Sequence, residues 1–128
     1  MKKLFALFAA ALFAANIYAA EFPNISIPEL KSAIATGSVT VIDVNGSKSY
    51  KKGHIPTAID FDAHQKNLEN KLPQDKDALV VAYCGGPKCM AYREAARAAE
   101  KLGYKNVKHL SAGISGWKQA GEKMEKGE

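Results

Sequence analysis

A parallel α/β fold with helices on both faces of the sheet is what three features of this chain predict together. From residue 26 onward, short β-branched or apolar runs alternate with amphipathic tracts, the pattern of strand–helix units packed as layers. Leu79–Tyr83 is a continuous apolar strand, so it belongs at the centre of the sheet, covered on both sides. It runs directly into Cys84-Gly85-Gly86-Pro87-Lys88-Cys89, which puts chemistry-bearing residues at a strand's carboxyl end, where such sheets hold ligands.

The elements follow in order. Ser26-Ile27-Pro28-Glu29 reads as a helix start, with Ser26 as N-cap and Glu29 as its capping-box partner. Leu30, Ala33 and Ile34 supply the apolar stripe and Gly37 the stop. Val39–Ile42 is a β-branched strand ending at Asp43, and a small helix is expected over Ser47–Lys52, closed by Gly53. Ala58–Phe61 is a second strand candidate, and His64–Leu72 a weak helix stopped by Pro73. After the cysteine loop, Ala91, Ala95, Ala98, Ala99 and Leu102 recur at helical spacing, with Arg93, Glu94, Arg97, Glu100 and Lys101 on the other side. Gly103 ends that helix; Val107–Leu110 is the last strand and Ile114–Ala120 the last helix.

The first residues read differently. Lys2 and Lys3 precede an apolar run from Leu4 to Ala15, then small residues at Ala19 and Ala20, the layout of a secretory signal peptide. The run is shorter than the roughly 20 residues a bilayer span needs, so an uncleaved anchor is the weaker alternative and no stable span is expected after processing. Cleavage after Ala19 gives a leader of residues 1–19 and one domain over 20–128, its core at about 24–121. Without Lys2 and Lys3 the chain keeps 16 basic and 13 acidic side chains, a net +3. The basic residues are dispersed, which argues against a nucleic-acid surface. Export predicts an oxidising compartment, a bacterial periplasm or the exterior. A disulfide between the two cysteines closes only a six-residue segment, worth about 2 kcal/mol by loop entropy, so stability alone is a thin reason for the pair.

Cys84 is the candidate nucleophile. Gly85 and Gly86 let the backbone turn tightly and aim successive N–H groups inward. The positive end of the following helix and the charge of Lys88 act in the same direction. All three lower the thiol pKa; the bland alternative is an inert cysteine buried at a strand end.

Tyr83–Cys89, followed by a helix and Gly103-Tyr104-Lys105-Asn106-Val107, resembles the active-site region of rhodanese-like sulfurtransferases. Val41-Ile42-Asp43-Val44 resembles that family's strand ending in Asp-Val. Gly53-His54-Ile55-Pro56-Thr57-Ala58-Ile59 resembles its Gly-His-Ile-Pro-Gly-Ala-Ile signature, and Ala112–Trp117 its closing Gly-Gly-(aliphatic)-x-x-Trp motif. The resemblance implies a single rhodanese-like domain with a five-stranded parallel sheet. It also implies sulfur transfer from a donor such as thiosulfate to cyanide or a thiol, through a persulfide on Cys84, with no cofactor besides that covalent intermediate. The loop length matches sulfurtransferases; related phosphatases carry one residue more.

Five positions, in four places, depart from the family pattern. Asn45 stands where an arginine is common and Thr57 where a glycine is usual. Pro87 removes one N–H from the loop, and Cys89 and Met90 replace an arginine and a small hydroxyl residue. The expected anion cradle is the backbone of Gly85, Gly86, Lys88, Cys89 and Met90. For Cys89 three readings stay open: a thiol that resolves a persulfide or sulfenic acid on Cys84, a second sulfur acceptor, or a small residue facing away. Asp43 and His54 are expected to have structural roles near the site. His64 and His109 are isolated and with the cysteines form no metal-binding spacing; Trp117 is expected to pack against the domain, and Tyr92 and Arg93 to border the pocket mouth. Three functions are thus in competition: a sulfurtransferase using Cys84, a periplasmic redox or sulfur-carrier module cycling Cys84 and Cys89 with a partner protein, or a catalytically silent domain that only binds partners.

Overall fold

Four parallel strands in the order β2-β1-β3-β4 form the sheet in the computed structural model, which describes residues 22–128. The expected leader, residues 1–19, and its cleavage point lie outside the described residues. In chain order the elements are α1 Ile27–Ala35, β1 Val39–Asp43, α2 Ser47–Lys52, β2 Ile59–Asp60, α3 Phe61–His64, β3 Leu79–Tyr83, α4 Tyr92–Lys101, β4 Asn106–His109 and α5 Gly113–Gln119. No described helix is long and apolar enough to cross a membrane.

β3 is central, paired with β1 over Val39–Asp43 and with β4 over Asn106–His109. Its side chains alternate between two cores. Val80 and Ala82 join Ile42, Leu68 and the α4 residues Tyr92, Ala95, Ala96 and Ala99 on one face. Val81 and Tyr83 join Val41, Leu30, Tyr50, Ile55 and Trp117 on the other. A strand covered on both sides needs apolar residues at every position, and Leu79–Tyr83 supplies them. The buried stripe of α4 includes Tyr92 and Ala96, while Ala91, Ala98 and Leu102 of the expected stripe are only partly buried.

The sheet has one strand fewer than expected. Asn24 makes an isolated parallel bridge to His109, with Ile25 N–H donating to the His109 carbonyl and His109 N–H to that of Pro23, both at 2.9 Å. Pro23 has no N–H to extend the ladder, and Ser26 already caps α1, so the fifth strand shrinks to that bridge. The cap itself is as expected: Ser26 Oγ accepts from Glu29 N–H at 3.2 Å and donates to Glu29 Oε1 at 2.8 Å. β2 is also shorter than its candidate run, because the Asp60 side chain caps Asp62 N–H at 3.2 Å and starts α3 at Phe61. The helix expected over His64–Leu72 is instead a 3₁₀ segment, Gln65–Asn70, broken at Asn67; with Leu68 its one buried residue, too little apolar surface holds a full α-helix there.

The carboxyl ends of β1 and β3 are tied by a buried network. The Tyr83 hydroxyl donates to Asp43 Oδ2 and accepts from Ile55 N–H at 3.0 Å, while Asp43 Oδ1 accepts from Asn45 N–H at 2.8 Å. Burial raises the Asp43 carboxyl above its ordinary value, the hydrogen bonds from Tyr83 and Asn45 opposing it. Thr57, where the family pattern has glycine, sits at φ 72°, the left-handed conformation that glycine adopts without strain.

The last helix anchors the cysteine loop. Ile114 N–H donates to the Cys84 carbonyl at 2.9 Å and Ser115 N–H to the Gly85 carbonyl at 3.0 Å. These are first-turn donors that no acceptor within α5 can reach. Gly113, at φ 62°, makes the approach possible: a Cβ there meets Gly86 N at 2.5 Å and Gly85 C at 2.6 Å. Gly113→Ala is therefore expected to destabilise the protein by about 2 kcal/mol or more. Gly37→Ala, at φ 66° but with open space around the new Cβ, should cost about 1 kcal/mol. Urea unfolding of the two variants checks this; equal midpoints would contradict a tight loop–α5 contact.

Candidate active site

Cys84 lies one residue beyond β3 and is 2% exposed. The chain leaves the sheet there and turns back through Gly86–Cys89, with Cys89 N–H donating to the Gly86 carbonyl at 3.0 Å. Neither Gly85 nor Gly86 adopts a positive φ and a Cβ on either meets only ordinary contacts, so the turn does not depend on glycine as the sequence suggested. That turn brings the two cysteines together. They are joined as a disulfide with Cα atoms 6.2 Å apart, inside the range a bridge requires. Of the three readings of Cys89, the one that faces it away from Cys84 is excluded.

The turn also redistributes the loop's donors. Cys89 N–H is spent within the loop and Pro87 has none, whereas the N–H groups of Gly85, Gly86, Lys88 and Met90 make no backbone hydrogen bond among the described residues. Because α5 holds the carbonyls of Cys84 and Gly85, and a trans peptide points its N–H opposite its C=O, the N–H groups of Gly85 and Gly86 face away from α5. Lys88 is exposed and does not line the recess beside the sulfurs, so its charge acts from outside. Met90 is the one large apolar residue exposed among the described residues, at 47%.

That recess, about 220 Å³, is lined by Cys84, Cys89, Met90, Arg93, His109 and Ser111 among others, and none of its lining residues is acidic. Arg93, in the first turn of α4, supplies the formal positive charge. His109, the last residue of β4, stacks on Tyr92 with ring centroids 4.2 Å apart and planes within 7°. Arg93 Nε and His109 Nδ1 are both shut off from solvent without a hydrogen-bond partner, a condition that costs about 1–3 kcal/mol for each group. Burial lowers the His109 pKa, contacts with the Phe22 and Pro23 backbone raise it, and the Arg93 charge lowers it again; the net direction is down.

Asp43 and His54 are not in this recess. Asp43 is committed to the Tyr83 network, and His54 stacks on Tyr50 at 3.7 Å, with Nδ1 2.8 Å from the Tyr50 carbonyl. Its backbone pairs with Glu125 through two bonds of 2.9 Å. Trp117 is buried, its indole N–H donating to the Lys123 carbonyl at 2.8 Å. Tyr92 and Arg93 do border the recess, as expected. His109 and Ser111 are the residues that sequence reasoning missed. The signal was topological: β4 neighbours β3 in a parallel sheet, so its carboxyl end opens beside Cys84. Among the described residues, no three of His, Cys, Asp and Glu gather closely enough to hold a metal ion.

Comparison with known proteins agrees with this architecture. The rhodanese-like domain family matches residues 26–120. The HTH-type transcriptional regulator Rv0324 of Mycobacterium tuberculosis is 36% identical over 104 residues, covering 80% of this chain and 45% of the regulator; this chain therefore spans less than half of that protein. The thiosulfate sulfurtransferase GlpE of Shewanella oneidensis is 28% identical over 102 residues, covering 77% of this chain and 95% of GlpE. Among solved structures, the BH2092 protein from Bacillus halodurans superposes with a TM-score of 0.70 at 28% identity, covering 94% of this chain and 86% of that one. With the family model matching residues 26–120, the chain belongs to the rhodanese-like domain family.

Proposed function

We propose that this domain is a sulfurtransferase whose nucleophile is Cys84. The observation that carries the reading is the loop itself: a cysteine at the carboxyl end of the central strand, followed by unpaired backbone N–H groups that α5 orients. In the reduced protein those donors and the N-terminal end of α4 favour the Cys84 thiolate. The similarity to a named thiosulfate sulfurtransferase over nearly its whole length supports the reaction class.

The thiolate attacks the outer sulfur of thiosulfate. A bond forms between Cys84 Sγ and that sulfur, the bond to the SO₃ group breaks, and sulfite leaves with the electron pair. The loop N–H groups stabilise the persulfide anion that remains. An acceptor thiolate, or cyanide, then takes the outer sulfur and the Cys84 thiolate departs.

The disulfide favours a second reading of the same loop. The Cys89 thiol attacks the inner sulfur of the Cys84 persulfide; the Cys84–Cys89 bond forms, and hydrosulfide leaves with the electron pair and the Cys89 proton. A dithiol partner, itself oxidised to a disulfide, restores both thiols. This route makes the domain a redox or sulfur-delivery module. A regulator among its relatives fits a third role, in which the domain senses rather than turns over. Export belongs to the same proposal, supported by the basic start and the apolar run from Leu4 to Ala15.

Thiosulfate:cyanide sulfurtransferase assays under reducing conditions test the main reading. Cys84→Ser should abolish turnover, because Cys84 is the thiol at the strand end whose thiolate the loop donors favour; full activity in that variant would overturn it. Cys89→Ser should keep transfer to cyanide but lose hydrosulfide release. Protein recovered from a periplasmic fraction should begin at Ala20; protein beginning at Met1 in that fraction would contradict the leader.

A further inference from the structure

We propose that Arg93 and His109 form an oxyanion subsite beside the two sulfurs, which takes the SO₃ end of a sulfur donor while its outer sulfur meets Cys84. The inference rests on the sulfur-transfer reading and names the residues that select the donor. The loop of this chain has a cysteine, not an arginine, at position 89, and its lysine at position 88 points its charge outside the recess. Something else has to hold the anionic part of a donor such as thiosulfate.

Three observations converge on Arg93 and His109. Both line the recess that contains Cys84 and Cys89, and no acidic residue lines it with them. Arg93 Nε is buried without a hydrogen-bond partner, so the guanidinium keeps donor capacity that an anion in the recess can take up. The His109 ring, which the Phe22 and Pro23 backbone also approaches, lines the recess with it. Finally, stacking on Tyr92 holds the His109 ring in place before any ligand arrives, which lowers the entropic cost of binding, and Arg93 follows Tyr92 in the first turn of α4. A guanidinium suits this task because its fork of donors matches two oxygens of an SO₃ group. The site thus uses a helix side chain where the family pattern uses a loop arginine. That substitution frees position 89 for a second cysteine.

Sulfate, an unreactive isostere of thiosulfate, is the probe. Titrated into the reduced protein and followed by ¹H–¹⁵N correlation spectra, it should saturably shift the amides of Gly85, Gly86, Lys88 and Met90 together with the His109 ring. Arg93→Gln should weaken sulfate binding by roughly tenfold or more, the size expected for losing a charge-assisted hydrogen-bond pair. Arg93→Lys, which keeps the charge without the fork, should fall between. His109→Phe keeps an aromatic ring on Tyr92 and removes only the nitrogens, so weaker binding in that variant is attributable to them even if Arg93→Gln fails to fold. The KM for thiosulfate should rise in the same order. If sulfate binds as tightly to Arg93→Gln and His109→Phe as to the unaltered protein, the subsite is overturned while sulfur transfer stands. If binding depends on both residues but the protein transfers no sulfur, the subsite stands and the sulfurtransferase reading falls.

Discussion

Two hydrogen bonds from the first turn of α5 to the carbonyls of Cys84 and Gly85 are the constraint on which the rest of the site depends. Helix N-termini carry donors with no partner in their own helix, and a loop at a strand end carries acceptors that have left the sheet. Each satisfies the other here. The pairing also sets a direction: once the carbonyls turn toward α5, the N–H groups of Gly85 and Gly86 face away from it and stay available to an anion. The contact is closed by Gly113, where a side chain would collide with the loop backbone. The orientation of these main-chain donors is thereby decided by a helix nearly thirty residues downstream.

The side chains around that loop divide their work. Asp43, Tyr83, His54 and Tyr50 spend their polar atoms on one another and on backbone, and so hold the ends of β1 and β3 and the segment that follows α2. They act on the site only through position. Arg93 and His109, in contrast, leave buried nitrogens unspent. Polar groups that a fold leaves unsatisfied are costly, and among the described residues the two such atoms belong to side chains that line the recess beside the two sulfurs.

Much of this was legible in the sequence where local chemistry decides the outcome. The Ser26 cap, the Gly37 stop, the span of α2 and the doubly buried strand Leu79–Tyr83 follow from residue type and spacing alone. So does the placement of Cys84 at a strand end. The fifth strand was not legible, because it depends on how little extended chain remains between Pro23 and the Ser26 cap. Nor was the source of positive charge: Lys88 is nearer to Cys84 in sequence, but the turn carries it outside, while Arg93 comes back to the recess on the first turn of α4. His109 looked isolated because 25 positions separate it from Cys84. Only the register of β4 beside β3, with His109 opposite Ala82, brings it to the site. Thr57 shows the reverse case, where structure explains a family preference: its φ of 72° is the reason a glycine is usual there.

Sulfur transfer through Cys84 places a sulfur atom on one cysteine and not the other. Intact-mass spectrometry of the reduced Cys89→Ser protein after exposure to thiosulfate measures this without competition from the disulfide. A gain of one sulfur, about 32 Da, that disappears when Cys84 is also replaced by serine is the expected result. An unchanged mass in the Cys89→Ser protein, or a gain that survives the loss of Cys84, would contradict sulfur transfer through Cys84.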